Sequence, residues 1–283
     1  MDILPDQKIG LVGCGFMGKA LLESWLAKGI PAKTIFVLDP SPSAWLQGLS
    51  GVNVNTPFPE DLAAVVIATR PHVVEEVLPQ LAPLAGGATV FVSIAASKPI
   101  ALFEEQLSRA TPIVRAMPNL PATVGAAITA YIANSSVEGS QKALVRELMS
   151  AIGTVVELPD EDVFSVVTAM SGAGPAYVFA MAEALASAGA ELGLPEDLAH
   201  ELAIKTVAGA GRMLGQADAD ATGYRVAVTS KGGTTEAGML EFMADEHGIQ
   251  DLAKRTIRAA AARCRELSGL GEAAREELPV AGE

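Results

Sequence analysis

The chain has 283 residues, half of them apolar, which is enough for one large or two ordinary domains with a substantial buried core. A formal net charge of −13 repels nucleic acid and anionic membrane surfaces, so neither is an expected partner. Two cysteines, Cys14 and Cys264, are too few for a disulfide framework and fit a reducing compartment, so a cytoplasmic protein is expected.

From the N-terminus, MDILPDQKIG lacks a basic region followed by a long apolar one, so no signal peptide is expected. No run of about 20 unbroken apolar residues follows, so no membrane span is expected. Up to residue 158, short β-branched runs alternate with helical patterns. Strands are predicted at 8–12, 34–38, 64–68, 89–94, 113–117, 127–132 and 154–158, and helices at 16–28 and 137–152. Such alternation predicts a parallel, doubly wound α/β sheet.

KIGLVGCGFMGKALLESWLAKG places the first strand, a turn Gly13-Cys14-Gly15-Phe16-Met17-Gly18, and an amphipathic helix in succession. This is G-x-G-x-x-G in the context that gives it meaning, a dinucleotide-binding turn of the Rossmann type. Gly13 permits the tight turn, Gly15 lets a pyrophosphate approach the backbone, and Gly18 lets helix and strand pack closely. The helix N-terminus then favours the anion. Cys14 has no base nearby and is read as a small loop residue. The second strand ends at Asp39, where an acid bonds the ribose 2′-hydroxyl of NAD, but Ser41 and Ser43 follow and offer hydroxyls to the 2′-phosphate of NADP. The sequence leaves NADP and NAD both open. Later strand ends line the same cleft: Ala68-Thr69-Arg70-Pro71, Ile94-Ala95-Ala96 and Met117-Pro118-Asn119. Ligands in such sheets lie beyond the carboxyl ends of the strands.

After Pro159 the strands stop. Acids Asp160, Glu161 and Asp162 open an Ala-rich helical half. Val178, Met181, Leu185, Ala188 and Leu192 repeat at three and four, and a second helix begins at Pro195-Glu196-Asp197. So many apolar stripes need partners, which points to a subunit interface. The domains expected are a dinucleotide-binding unit over 1–160 and an all-α unit over 161–283, with a polar, frayed tail from about 268. His72, His200 and His247 stand alone, and no metal site is expected.

VTSKGGTTEAGM, residues 228–239, packs glycines and hydroxyls before a helical pattern. Backbone N–H groups of Gly232, Gly233, Thr234 and Thr235, with the Ser230 hydroxyl, form an expected anion nest at a helix start. Each charge-assisted hydrogen bond there contributes about 1.5–3 kcal/mol.

Together, VGCGFMGKAL, ATRPH, VSIAAS, RAMPNLPA, MSGAGPAYVF and VTSKGGTTEAG resemble the pyrroline-5-carboxylate reductase family, in family order along nearly the whole chain. Arg70, Ser97, Leu120 and Lys231 depart from the usual Lys, Gly, Thr and Pro. The resemblance implies a Rossmann domain followed by a helical dimerisation domain, assembled as an interlocked homodimer and in many members a decamer. It implies reduction of Δ1-pyrroline-5-carboxylate to L-proline, the last step of proline biosynthesis, with NADPH or NADH. It places the substrate carboxylate on the Ser230–Thr235 turn, the Thr235 hydroxyl against the imine nitrogen, and Asn119 near the substrate. It places the active site between the Rossmann half of one subunit and the helical half, with helices of the partner taking part. Ser171, Tyr177 and Glu183 are secondary polar candidates in and after SGAGPAY.

The alternatives are another imine or 2-hydroxyacid reductase of the same two-domain plan, or a non-enzymatic dinucleotide-binding regulator. A β-hydroxyacid dehydrogenase would carry a catalytic Lys on its first interdomain helices, and residues 161–192 contain none. A regulator has no use for a second anion nest.

Overall fold

The strands are built from residues that bury both faces. In the computed structural model, which describes residues 7–269, alternate residues of one strand enter opposite cores. Ile9 and Leu11 of β1 (Lys8–Val12) join one core and Val12 the other. Ala64 and Val66 of β4 divide from Val65 and Ile67 in the same way. Near-continuous Val/Ile/Leu runs are what a sheet covered by helices on both sides requires.

The sheet has eight strands: β1, β2 (Ile35–Leu38), β3 (Asn53–Val54), β4 (Leu62–Ile67), β5 (Val90–Ser93), β6 (Ile113–Met117), β7 (Ala127–Ala133) and β8 (Gly153–Glu157). Their order is β3-β2-β1-β4-β5-β6-β7-β8. All neighbours pair in parallel except β6 and β7, which are antiparallel. The expected doubly wound, mostly parallel sheet is present, with this pair as its antiparallel exception. The 118–126 connection carries only a 3-10 turn, too short for the crossover that parallel pairing needs. β3 is an addition to the predicted strands: two residues, half-buried, with no alternating pattern to reveal it.

Helices α1 (Phe16–Ala27), α2 (Ala44–Gln47), α3 (Val74–Leu81), α4 (Ile100–Gln106) and α5 (Gly139–Ser150) flank the sheet. Leu21, Leu22 and Trp25 of α1 meet Leu144, Val145 and Leu148 of α5 in the first core. The Trp25 indole N–H donates to Leu148 O at 2.9 Å, satisfying a buried donor and locking the two helices in register. Leu78 and Leu81 of α3 and Phe103 of α4 fill the second core.

A short helix α6 (Phe164–Val167) runs through a π-helical turn, Thr168–Gly172, into α7 (Gly174–Glu191). Then follow α8 (Glu196–Leu214), α9 (Ala221–Ala227), α10 (Thr234–Phe242) and α11 (Ile249–Leu267). The chain divides into two compact units. One holds the described residues up to Gly172 with those from Ala261, and the other holds Ala173–Ala260.

In the first unit an ion pair anchors the start of the helical half. Arg115, 2% exposed in the middle of β6, donates through Nη1 to Glu161 Oε1 at 2.6 Å, and its guanidinium lies 3.8 Å from the centre of the Phe164 ring. The same carboxylate oxygen accepts the Ile100 N–H at the start of α4. Glu161, expected as a helix-opening acid, therefore clasps the sheet, while Asp160 accepts from the N–H groups of Asp162 and Val163.

In the second unit the helices bury little of their own. No residue of α7, α9 or α10 is buried, and α8 buries only Ala199 and Ala203. Phe179, Leu185, Leu202, Met213 and Leu240 are all exposed in the single chain. The helical run Phe164–Glu191 spans 28 residues and reaches a mean hydropathy of 1.3, long and apolar enough to cross a membrane by length and composition. The sequence holds no unbroken apolar run of that length, and the two measures differ in what they admit. The average tolerates Ser, Gly and a few acids, which a strict run does not.

Removing Glu161 should leave the buried Arg115 charge uncompensated. Glu161→Ala is expected to lower unfolding stability by about 3 kcal/mol in a urea titration. A change below about 0.5 kcal/mol would show that the clasp is not structural.

Candidate active site

The turn between β1 and α1 uses its three glycines for three different reasons. Gly13 sits at φ +87°, where a side chain is strained, and its N–H donates to Leu38 O at 2.8 Å. A Cβ at Gly18 would collide with the carbonyl oxygen of Gly13, so this position must be bare for helix and strand to pack. A Cβ at Gly15 would meet no protein atom within 4 Å. Packing therefore does not demand glycine at residue 15; the space in front of it is open to a ligand. Gly15 is also the N-cap of α1, with no side-chain cap and no acid in the first turn, so the leading N–H groups of the helix have no side-chain partner. Phe16, 62% exposed, and Met17, half-buried, begin the helix beside this opening.

Asp39, at the end of β2, reaches across to this turn. Its Oδ2 accepts the Cys14 N–H at 2.7 Å and its Oδ1 accepts the Ser41 N–H at 2.9 Å. Its backbone is held too: the Asn55 side-chain amide donates to Asp39 O and accepts from Asp39 N–H. Asn55 adopts φ +53°, a conformation Asn tolerates better than most residues. Sequence reasoning missed Asn55, and its only signal was an Asn in a turn-forming NVNTP run. Cys14 is buried behind the turn, and burial, then the charges of Asp39 and Glu23, push its thiol up to about 11 against a smaller opposing effect of Lys19. It stays a thiol at neutral pH, in keeping with a small packing residue.

The other strand ends lie beside β1 in the same sheet. Ala68 donates its N–H to Val12 O, and Ile94 donates to Ile67 O, so these backbones extend the ladder past β4 and β5. The Thr69 methyl lies against Gly13, close to where a Cβ there would point, while the Thr69 hydroxyl is buried without a partner. Arg70 is exposed and Pro71 opens a 3-10 turn. Ala95 is buried, and Ser97 sits at φ +64°, a left-handed position that suits the family's glycine. The structure thus brings Gly13–Gly18, Asp39, Ser41, Ala68–Pro71, Ile94 and Ala95 to the carboxyl edge of the parallel strands, the ligand edge of such sheets.

Asn119, expected near the substrate, spends its amide inside the protein. It donates to Ser171 O at 3.2 Å and accepts the Ile128 N–H at 3.0 Å. It ties the end of β6 to the π-helical turn and to β7. The Ser171 hydroxyl is buried without a partner in that turn.

The Ser230–Thr235 turn stands in the second unit, ahead of α10. Gly232, at φ +71°, donates its N–H to the Glu236 carboxylate at 2.7 Å. The Gly233 N–H donates to Ser230 O at 3.0 Å, and Gly233 is the N-cap of α10 without a side-chain cap. Two of the four expected nest donors are therefore engaged within the protein. The N–H groups of Thr234 and Thr235 and the exposed hydroxyls of Ser230, Thr234 and Thr235 remain at the helix start. Glu183 is exposed on α7, and Tyr177 is half-buried on the same helix.

Residues 161–267 match the family described as pyrroline-5-carboxylate reductase dimerisation, and residues 8–97 match NADP oxidoreductase coenzyme F420-dependent. A pyrroline-5-carboxylate reductase of Pseudomonas aeruginosa is 35% identical over 270 residues, covering 94% of this chain and 98% of that protein. The chain belongs to the pyrroline-5-carboxylate reductase family. Among solved structures, the pyrroline-5-carboxylate reductase of Coxiella burnetii superposes with a TM-score of 0.86 at 32% identity, covering 93% of this chain and 98% of that one. The Plasmodium falciparum pyrroline carboxylate reductase, solved with NADP bound, gives 0.79 at 26% identity over 95% of this chain and 99% of its own. Among the described residues, most of the exposed large apolar side chains, including those of α7, lie within the matched region 161–267.

The two glycine positions should separate in experiment. Gly15→Val is expected to unfold like the parent yet bind nucleotide at least tenfold more weakly, whereas Gly18→Val should lose stability outright. Denaturation and nucleotide fluorescence titration on both variants check this, and full nucleotide affinity in a folded Gly15→Val protein would refute the assignment. In a Cys264→Ser background, Cys14 should react with iodoacetamide about a hundredfold more slowly at pH 8 than an ordinary thiol, with the rate rising about tenfold per pH unit up to pH 10. Rapid labelling at pH 8 would contradict the buried, raised thiol.

Proposed function

We infer that this chain reduces the C=N bond of Δ1-pyrroline-5-carboxylate to give L-proline, using NADPH or NADH, as the last step of proline biosynthesis. The observation that carries the reading is the presence in one chain of two anion-recognition turns, a dinucleotide turn at Gly13–Gly18 and the Ser230–Thr235 turn, within a full-length match to the family.

The residues fit a dinucleotide. The open space at Gly15, the uncapped start of α1 and the acid at the end of β2 suit its pyrophosphate and ribose. The edge formed by Ala68–Pro71, Ile94 and Ala95 suits its nicotinamide half. When bound, the reduced nicotinamide supplies the hydride that C5 of the ring accepts.

In this reading the protein binds and orients. The Thr234 and Thr235 N–H groups and the Ser230 hydroxyl hold the substrate carboxylate at the start of α10. Gly232 joins them when Glu236 releases its N–H. This local set of donors offsets the long-range repulsion that a chain of net charge −13 exerts on a small anion. The Thr235 hydroxyl accepts from the N–H of the protonated imine and so keeps the ring in its electrophilic form. Thr235 is no strong acid, so the nitrogen's proton arrives with the substrate or from water. Hydride at C5 then converts the iminium to the secondary amine of proline, and no further proton is needed. Asn119 acts in positioning: its ties to Ser171 and Ile128 set the chain where β6 ends.

Self-association follows from the exposed apolar helices and the dimerisation-family match. The assembly we propose is a homodimer, with a decamer as the larger form that the family resemblance implies. Two free, buried cysteines accord with a reducing cytoplasm.

The test is loss of reduced-nicotinamide absorbance that depends on added pyrroline-5-carboxylate, with proline as product. Thr235→Ala is expected to lower kcat about 100-fold while nucleotide affinity changes less than twofold. Equal loss of both, or no loss of kcat, would remove Thr235 from its role. No turnover by folded protein with either nucleotide would overturn the reading as a whole.

A further inference from the structure

The end of β2 determines which of the two dinucleotides fits, and this inference rests on the reading of Gly13–Gly18 as a dinucleotide turn. A 2′-phosphate needs positive charge or free donors beside the adenosine ribose, and a bare 2′-hydroxyl needs an acceptor. The structure places a carboxylate there and fixes it. Asp39 accepts from Cys14 N–H and Ser41 N–H, and Asn55 clamps its backbone on both sides, so the side chain is not free to swing away from a phosphate.

The groups that a 2′-phosphate would use are held to the protein around that carboxylate. The Ser41 N–H is bound to Asp39. The Ser43 hydroxyl caps α2 by accepting the Leu46 N–H at 3.2 Å. The Asn55 side-chain N–H is bound to Asp39 O at 2.8 Å. No cation stands in the DPSPSAW turn. Lys19, on α1, lies 4.8 Å over the Trp45 ring and 3.6 Å from Glu23. The hydroxyls of Ser41 and Ser43 keep their protons as donors, but they are neutral and stand beside the carboxylate of Asp39.

We propose that Asp39, locked by the glycine turn and by Asn55, makes this chain selective for NADH over NADPH. The carboxylate accepts a hydrogen bond from the ribose 2′-hydroxyl of NADH and repels the 2′-phosphate of NADPH.

The experiment is equilibrium binding without substrate. NADH and NADPH are titrated by nicotinamide fluorescence, and 5′-ADP and 2′,5′-ADP by competition, on the unmodified protein and on Asp39→Ser. The unmodified protein should bind NADH at least tenfold more tightly than NADPH, and 5′-ADP more tightly than 2′,5′-ADP. The gap should narrow as salt screens the repulsion. Asp39→Ser should bring the ratio to within about threefold of unity. NADPH binding as tightly as NADH to the unmodified protein would overturn the proposal, and so would an unchanged ratio in folded Asp39→Ser. If that variant does not fold, the comparison of 5′-ADP with 2′,5′-ADP on the parent decides alone. Failure to bind any of the four ligands would remove the dinucleotide turn itself. Selective binding without reduction of pyrroline-5-carboxylate would leave this proposal standing and remove the substrate.

Discussion

The absence of side-chain atoms at Gly13 and Gly18 is the constraint on which the nucleotide half of the molecule depends. With no Cβ at either residue, α1 starts in contact with the end of β1, and the Gly13 N–H reaches Leu38 at the end of β2. The two strand ends and the helix start therefore converge. The Cys14 N–H falls within 2.7 Å of Asp39, and Asn55 closes the arrangement from β3. A turn that would otherwise be loose is fixed by backbone-directed hydrogen bonds before any ligand arrives. Preorganisation of this kind lowers the ordering cost of binding and fixes where negative charge is tolerated and where it is not.

Most of this was legible in the sequence, for a physical reason. Strands covered on both faces are apolar at nearly every position, so β4 stands out as an unbroken run and β1 and β5 as nearly unbroken ones, while β6 carries the buried Arg115. Glycine spacing reports steric close approach directly, so the turn could be assigned residue by residue. What stayed hidden depended on partners distant in sequence. β3 has two residues and no pattern. The antiparallel turn of β7 depends on the length of the 118–126 connection. Glu161 looks like any helix-opening acid until Arg115, 46 positions earlier, is brought beside it. The amide of Asn119 ties the end of β6 to Ser171 and Ile128, and nothing in the local sequence announces those partners. The Ser230–Thr235 turn was legible as a donor cluster. That Glu236 and Ser230 engage two of its N–H groups was not, because side-chain reach over one turn of helix leaves no sequence signature.

The helical half shows the same logic at the level of the subunit. Its stripes were read as needing partners, and within the single chain they find few: α7 buries nothing and α8 buries two alanines. Small residues on these helices, such as Gly189 against Leu194 and Ala199, let α7 and α8 approach closely while the large apolar side chains face outward. A helix of this kind passes a hydropathy test for membrane crossing because the test weighs composition, and composition alone does not separate lipid from another protein surface. The match of residues 161–267 to the family's dimerisation region gives the face a protein partner.

The account's central claim is direct hydride transfer to C5 of the ring imine, with the protein binding and orienting both reactants. The most direct test is to supply NADH carrying deuterium at the transferable C4 position, with pyrroline-5-carboxylate, and to locate the label in the product. Proline bearing one deuterium at C5, on a single face, is the result predicted. Unlabelled proline, or label scrambled to other positions or lost to water, would contradict direct transfer.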